Sequence, residues 1–303
     1  MHLLILPKQK TKDILTSAIK RYEFKKGLPH EFEILDLRKL YNDFSASLTA
    51  PHRAGFYHLI WFKKGKPDHQ VDFTSVQLKS NSLLFVNKDC VHRFDDSNIF
   101  DGKVILFTEE FFCKTKSDRN YLRSSILFND LLSISSIHIP TANHLIVNII
   151  LEMEAEQQMS KDPFQSDILL NNLRNLLLLS ERERRKQDFT ELKKDANLEY
   201  VIKFRDLLEA QFVTTKRVGQ FAALINITEK RLNQATKAVL GKTPKRLIDD
   251  RLMLESKRLL AHSAGSIKEI GFQLGFEEPT NFIKYFRNHQ GSTPLEFRES
   301  FKR

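Results

Sequence analysis

Lys230, Asn233, Gln234 and Lys237 stand at the spacing of neighbours on one face of a helix. Fifty residues later Thr280, Ile283, Lys284 and Arg287 repeat those places, with Asn281 beside them. Amide side chains pair with adenine edges, and Lys or Arg with guanine edges or phosphate, so such a face suits a nucleic acid. A solvated helix face is the other reading, and it is the common fate of any single such helix. Repetition is what separates the two.

The faces belong to a repeated unit. VGQFAALINITEKRLNQATKAVLGKTP, from Val218 to Pro244, aligns with IKEIGFQLGFEEPTNFIKYFRNHQGSTP, from Ile267 to Pro294. Val218 meets Ile267, Phe221 meets Ile270, Ala222 meets Gly271 and Ile225 meets Leu274 at an offset of 49; after one inserted residue Leu232 meets Phe282 and Thr243-Pro244 meets Thr293-Pro294 at 50. Each copy reads as a short helix, a tight turn and a second helix. Asn226 and Gly275 tolerate positive φ at the turn, Thr228 caps the next helix in copy one, and Pro279 suits a first helical position in copy two. Gly241 and Gly291 end the second helices, and Thr-Pro starts another each time. Leu232, Ala235, Thr236 and Val239 are expected inside copy one, and Phe282, Tyr285, Phe286 and His289 inside copy two. Between the copies, Pro244 to Ala261 reads as one helix of about 27 Å, long enough to carry two recognition helices to successive major grooves about 34 Å apart.

Charge agrees with this. Ala196 to Arg303 holds 19 Lys and Arg against 12 Asp and Glu, most of the net +10 of the 303-residue chain, which suits a polyanion partner. Lys237, Lys242, Lys245, Arg246 and Arg287 are the expected phosphate contacts. Hydrophobic residues at 41% make the chain globular, and two cysteines, Cys90 and Cys113, fit a reduced, cytoplasmic setting. The apolar run Leu3 to Leu6 is too short for a signal peptide or a membrane span. No phosphate-cradling glycine loop or catalytic constellation is present, so no enzyme is expected.

The first half is built differently. FYHLIWF, VDFTSVQL, SLLFV and KVILF lie between Pro51 and Phe112 with turn-like clusters between them; Val71 and Phe73, then Val76 and Leu78, alternate. Antiparallel strands in a small barrel or sandwich follow. From Thr141 to Lys186 the period becomes helical: Leu145, Ile149, Ile150 and Met153, then, past Pro163, Ile168, Leu169, Leu173, Leu176, Leu177 and Ser180. These two stripes either cover the strands or leave part of the second as a dimer seam. From Glu181 to Asp195, 11 of 15 residues are charged, marking a linker or a solvated helix end. The expected fold is α+β, with domains at 1–186 and 197–303 joined by 187–196.

The repeated unit, above all IKEIGFQLGFEEPTNFIKYFRNHQGSTPLEFR, resembles the C-terminal double helix-turn-helix domain of the AraC/XylS family of bacterial transcription regulators, over about Asn197 to Arg303. The resemblance implies base reading by Lys230, Asn233 and Gln234 in copy one, and by Thr280, Asn281, Ile283 and Lys284 in copy two. Thr236 and Ala235 depart from the family pattern, in which an aromatic core residue is common. PHRAGFYHLIWFKKGK, NSLLFVNKDCVHRFD and GKVILFTEEFF are similar to the cupin-like sensing domain that many members carry. That likeness implies an effector pocket lined by His52, His58, Trp61 and His92; ordinary barrel histidines are the alternative. A metal-binding cupin would want a His-x-His pair and a Glu, but His52 is followed by Ala54 and His58 stands where Glu is common, so neither metal nor cofactor is expected. Implied partners are double-stranded DNA, a small-molecule effector, a second copy through the N-terminal helices, and RNA polymerase, with no membrane. Two alternatives stand beside this activator or repressor: a cupin-like enzyme with an accessory DNA-binding domain, and a ligand-independent regulator.

Overall fold

The computed structural model describes residues 19–24, 28, 30–96, 100–129, 133–140, 144–187, 189, 192 and 195–301. The run Leu3 to Leu6 and most of 188–194 lie outside them. The fold is α+β, in two compact units, one within 20–190 and one within 191–303.

The first unit holds two five-stranded sheets. One runs β1 (Arg21–Tyr22), β3 (His52–Ala54), β8 (Val91–Arg93), β5 (Asp68–Val71), β6 (Thr74–Gln77); the other runs β10 (Ser136–His138), β7 (Ser82–Val86), β4 (Tyr57–Lys64), β9 (Asp101–Phe107), β2 (Phe32–Asp36). Neighbours are antiparallel except β1 and β3. Among the described residues no ladder joins the sheets, so the antiparallel architecture takes its two-sheet form rather than a closed barrel. VDFTSVQL is a hairpin, not one alternating strand: Val71 pairs with Thr74 across Asp72 and Phe73. Asp72 takes φ 54, and its carboxylate accepts from the Val91 N–H at 3.2 Å. A short acceptor side chain makes that left-handed turn affordable.

β4 explains why the central run is apolar without alternation. Ile60 and Phe62 join the core shared with Ala54 and Val71 of the first sheet and with α1 (Leu37–Thr49), while Tyr57, Leu59 and Trp61 join the core under the helices. With both faces covered, all six positions from Tyr57 to Phe62 are buried. Short helices α2 (Glu109–Phe112), α3 (Lys116–Ser124) and α4 (Ile126–Asn129) and the hairpin of α5 (His144–Gln158) and α6 (Gln165–Arg184) form that cover. The buried stripe of α5 is Ile146, Ile150 and Met153, shifted by a residue at its start from the expected one, and Leu145 is exposed. On α6, Leu169, Leu173, Leu176, Leu177 and Ser180 are buried against their own domain, whereas Ile168 and Leu178 face out. Both edges of the second sheet are closed by a glutamine amide. Gln157 bonds the N–H and C=O of Ile34 on β2, and Gln187 those of His138 on β10. Each amide occupies one N–H and C=O pair that an added strand would need.

The second unit is helical: α7 (Ala196–Gln211), α8 (Val218–Leu224), α9 (Glu229–Leu240), α10 (Pro244–His262), α11 (Ile267–Gln273), α12 (Pro279–Gln290) and α13 (Pro294–Ser300). α10 extends one residue beyond the expected long helix and is 19 residues long, about 28 Å. No helix among the described residues is long and apolar enough to cross a membrane.

Candidate functional site

In the first copy α8 ends at a turn where Asn226 has φ 57, and the Ile227 N–H returns to the Ala222 carbonyl at 3.0 Å. Thr228 then caps α9, its hydroxyl accepting from the Arg231 N–H at 3.1 Å. Leu232, Ala235 and Thr236 are fully buried, and Leu232 joins a core with Phe204 and Leu208 of α7, Phe221 of α8 and Ile248 of α10. Thr236 keeps its hydroxyl satisfied on the Asn233 carbonyl at 3.3 Å, which is how a polar residue stands where an aromatic was expected. Lys230, Gln234 and Lys237 are exposed on the opposite face, and Asn233 is half-buried beside them.

The second copy repeats the path with different chemistry. Ser266 and Glu269 form a capping box that starts α11, and Gly275 turns the chain at φ 73. Phe282 and Phe286 fill the core, stacking towards Phe276 and Phe297 at 5.4 and 5.5 Å between ring centroids. Gly271 replaces Ala222 because a Cβ there would lie 3.2 Å from the Cβ of the larger Phe282. Pro279 opens α12, and Glu278 before it makes no side-chain cap. Thr280, Asn281, Ile283, Lys284 and Arg287 are all exposed on one side. Tyr285 is only half-buried, and its hydroxyl donates to Asp249 of α10 at 2.9 Å. His289, expected inside, is exposed instead. It lies one turn past Tyr285 near the end of α12, where it donates from Nδ1 to the Tyr285 carbonyl at 2.8 Å.

Three of the expected phosphate cations, Lys242 just before α10 and Lys245 and Arg246 in its first turn, each have an internal partner. Lys242 and Arg246 reach Asp250 at 2.8 and 2.9 Å, and Lys245 reaches Asp249 at 2.7 Å. Lys237 and Arg287 stand exposed on α9 and α12. Sequence reasoning missed the two carboxylates, although their i,i+4 spacing from Lys245 and Arg246 was the available signal.

The N-terminal unit gathers a second cluster. His52, His58 and His92 come together inside it, joined by His69, which the sequence reading overlooked; centroids of the other three rings lie 4.5, 4.7 and 5.4 Å from that of His92. Alternation along β5 was the missed signal, since His69 points inward with Val71. Trp61 does not join them. It lies three residues from His58 on the same strand and so faces the helices, its indole N–H donating to Asn81 at 3.0 Å. His52 donates from Nδ1 to the Ala50 carbonyl at 2.9 Å, and His69 Nε2 lies 3.2 Å from His92 Nδ1. Nδ1 of His58, Nδ1 of His69 and Nε2 of His92 are buried without a partner. Burial, then the neighbouring imidazoles, lowers the pKa of His58 and His69 to about 3 and that of His92 well below the usual value; burial lowers His52 too. The cluster is therefore neutral near pH 7. No group of three or more His, Cys, Asp or Glu among the described residues is placed to hold a metal ion.

Comparison with known proteins covers both units. Residues 35–173 match the family model of an AraC-like ligand binding domain, and residues 221–300 that of a helix-turn-helix domain. The HTH-type transcriptional activator RhaS of Escherichia fergusonii is 29% identical over 106 residues, 35% of this chain and 37% of the relative. The lactose operon transcription activator of Staphylococcus xylosus is 29% identical over 96 residues, 32% of this chain and 34% of the relative. The chain thus spans little more than a third of the length of these curated relatives. Among solved structures, ToxT from Vibrio cholerae matches at TM-score 0.45 and 14% identity, over 88% of this chain and 97% of that one. An AraC-like ligand binding domain followed by a helix-turn-helix domain is thus what the chain carries, and in both parts it is similar to the AraC/XylS family of transcriptional regulators.

Proposed function

We propose that the protein is a sequence-specific regulator that presents α9 and α12 to successive major grooves of one DNA duplex. The repeated unit carries this reading: two copies in register expose amide and cationic side chains at equivalent places, on either side of one long helix. Asn233, Gln234 and Asn281 suit adenine edges, Lys230 and Lys284 guanine, and Thr280 either; Ile283, 37% exposed on an otherwise polar face, suits a thymine methyl. Lys237, Lys242, Lys245, Arg246 and Arg287 supply phosphate contacts and salt dependence. Two readers on one chain need no palindromic site.

The N-terminal unit, 1–186, is the receiver of a small-molecule effector, and 187–196 links it to the DNA-binding part at 197–303. The histidine cluster favours this reading. Whichever of His69 and His92 donates in their shared hydrogen bond, the outer nitrogens of the pair are one donor and one acceptor. A ligand with both donor and acceptor groups matches that pair. An effector that binds one arrangement of the domain better than another shifts how the readers meet DNA. Exposed Leu145, Leu151, Ile168 and Leu178 on the outer side of the α5–α6 hairpin favour pairing with a second copy. Because both relatives above are named as activators, activation, with RNA polymerase as partner, is the direction proposed here.

The test is selection of duplexes from a random pool by the full-length protein, followed by competition against scrambled DNA across a salt series. The expected result is a bound sequence that survives competitor, with loss of selectivity in Asn233→Ala and Lys284→Ala. Equal, steeply salt-dependent binding to all duplexes would reduce the protein to an electrostatic binder.

A further inference from the structure

α10 joins the two helix-turn-helix copies, and each copy is braced on it. Arg251 of α10 bonds Glu209 of α7 at 2.8 Å and lies 3.9 Å from the ring centroid of Phe212, while Asp249 holds Tyr285 of α12. These braces tie the shared helix to α7, which shares a core with copy one, and to α12 of copy two. A contact from the segment between α7 and copy one to the turn of copy two closes the triangle. The segment leading from α7 into α8 lies against the turn of copy two: a Cβ on Gly275 would clash with the Val213 carbonyl oxygen. From the same segment Lys216 donates to the Gly275 carbonyl, with its ammonium 4.2 Å from the ring centroid of Phe276. Phe276 in turn packs on Phe282 and Tyr285 of α12, at 5.4 and 5.3 Å. The ammonium is drawn out of water for this: burial lowers its pKa, opposed by Glu277 and assisted by Lys245.

We propose that Lys216 is a positioning residue that latches the turn of copy two to the entry of copy one, fixing the angle between α9 and α12 and hence the half-site spacing the protein accepts. The proposal rests on the two-reader reading above. Physically, the latch lies at the turn that enters α12, where a small displacement becomes a swing of the recognition helix. One base pair added between half-sites moves the second by about 3.4 Å and turns it by about 34°. A reader of fixed angle cannot follow both changes.

The experiment uses the full-length protein, Lys216→Met and Lys216→Arg, on a selected two-part duplex and on versions with one or two base pairs inserted or removed between its halves. Wild type should lose about tenfold or more for a one-base-pair change, the cost of disturbing one half's contacts. Lys216→Met should bind the native spacing within about threefold of wild type and lose less than about threefold on the shifted ones, as a latch that selects among geometries requires. Lys216→Arg keeps a cationic donor for the carbonyl and the ring, and should restore the steep profile. An unchanged steep profile in Lys216→Met would overturn the latch. So would uniform weakening at every spacing together with a lowered melting temperature, which marks a structural role only. If wild type selects a single half-site, the two-reader reading itself fails, and the latch with it.

Discussion

The two units treat buried polar groups in opposite ways. In the C-terminal unit Asp249, Glu255, Ser256 and Arg258 are buried and bonded: Asp249 to Tyr285 and Lys245, Glu255 to Arg251 and Arg258, and Ser256 to the Leu252 carbonyl. In the N-terminal unit three imidazole nitrogens are buried with no partner. Among the described residues of the C-terminal unit no buried side-chain polar atom lacks a partner, and its exposed amide and cationic groups stand outside, on α9 and α12. The N-terminal interior keeps its uncommitted chemistry within, which agrees with the receiver of a small molecule proposed above.

The largest test of that contrast is acid. His58 and His69 have pKa values of about 3 in the fold, below the ordinary value of 6.5, so the unfolded chain takes up protons first as pH falls. Stability of the N-terminal unit is therefore full above about pH 6.5 and declines towards pH 3, by about 1.4 kcal/mol per pH unit for each histidine. These two alone should remove about 5 kcal/mol by about pH 4.5, a large share of an ordinary domain's stability. His262 and His289 of the other unit are not buried. Trp61 is the only tryptophan of the chain and lies in the N-terminal unit, so its fluorescence reports that unit. Its melting transition should fall steeply between pH 7 and 4.5 while a helical transition in circular dichroism persists; a Trp61 transition indifferent to pH would break the contrast.

Within the C-terminal unit the two copies differ in what fills them. Phe282→Ala should cost about 3–5 kcal/mol and Leu232→Ala about 2–5, measured by urea unfolding, with the aromatic copy the more sensitive. A copy two that tolerates Phe282→Ala with a loss under about 1 kcal/mol would deny the aromatic core its role.

Much of this unit was legible before any coordinates. Asn226, Gly275, Gly241 and Gly291 adopt the positive φ that their residue types favour, Thr228 and Thr243 cap, and on α9 Leu232, Ala235 and Thr236 are buried as read while Val239, expected inside, is half-buried. Local backbone chemistry and a 3.6-residue period determine those features, and both are written in consecutive residues. What was not legible depends on partners distant in sequence. His289 lies outside because the core ends a turn earlier, and Trp61 faces away from the histidines because it is three residues from His58 on one strand, a parity that the uniformly apolar run of a strand covered on both sides conceals. His69 was missed because a buried histidine on a short strand resembles any other polar residue until three more converge on it. Asp249 and Asp250 lay in plain sight but were weighed only as part of net charge.

Capping gives the next test in size. Thr228→Ala should cost about 1 kcal/mol, whereas Glu278→Ser, which supplies the cap that copy two lacks, should gain about 0.5–1 kcal/mol in the same unfolding assay. Equal effects of both changes on stability would erase the asymmetry between the copies. The smallest expected effect concerns Asp250, which neutralises Lys242 and Arg246. Asp250→Asn should tighten binding to every duplex alike by a few-fold and steepen the salt dependence by about one unit of slope. Anisotropy across a salt series reads both, and a change confined to one DNA sequence would assign Asp250 to base reading instead.

The most direct measurement is a hydroxyl-radical footprint of the full-length protein on its selected duplex. Two protected patches on one face of the DNA, about one helical turn apart, are the predicted result, with the patch under α12 lost in Lys284→Ala and the patch under α9 lost in Asn233→Ala. A single patch, or two that fade together in either variant, would contradict the account of one chain carrying two separate readers.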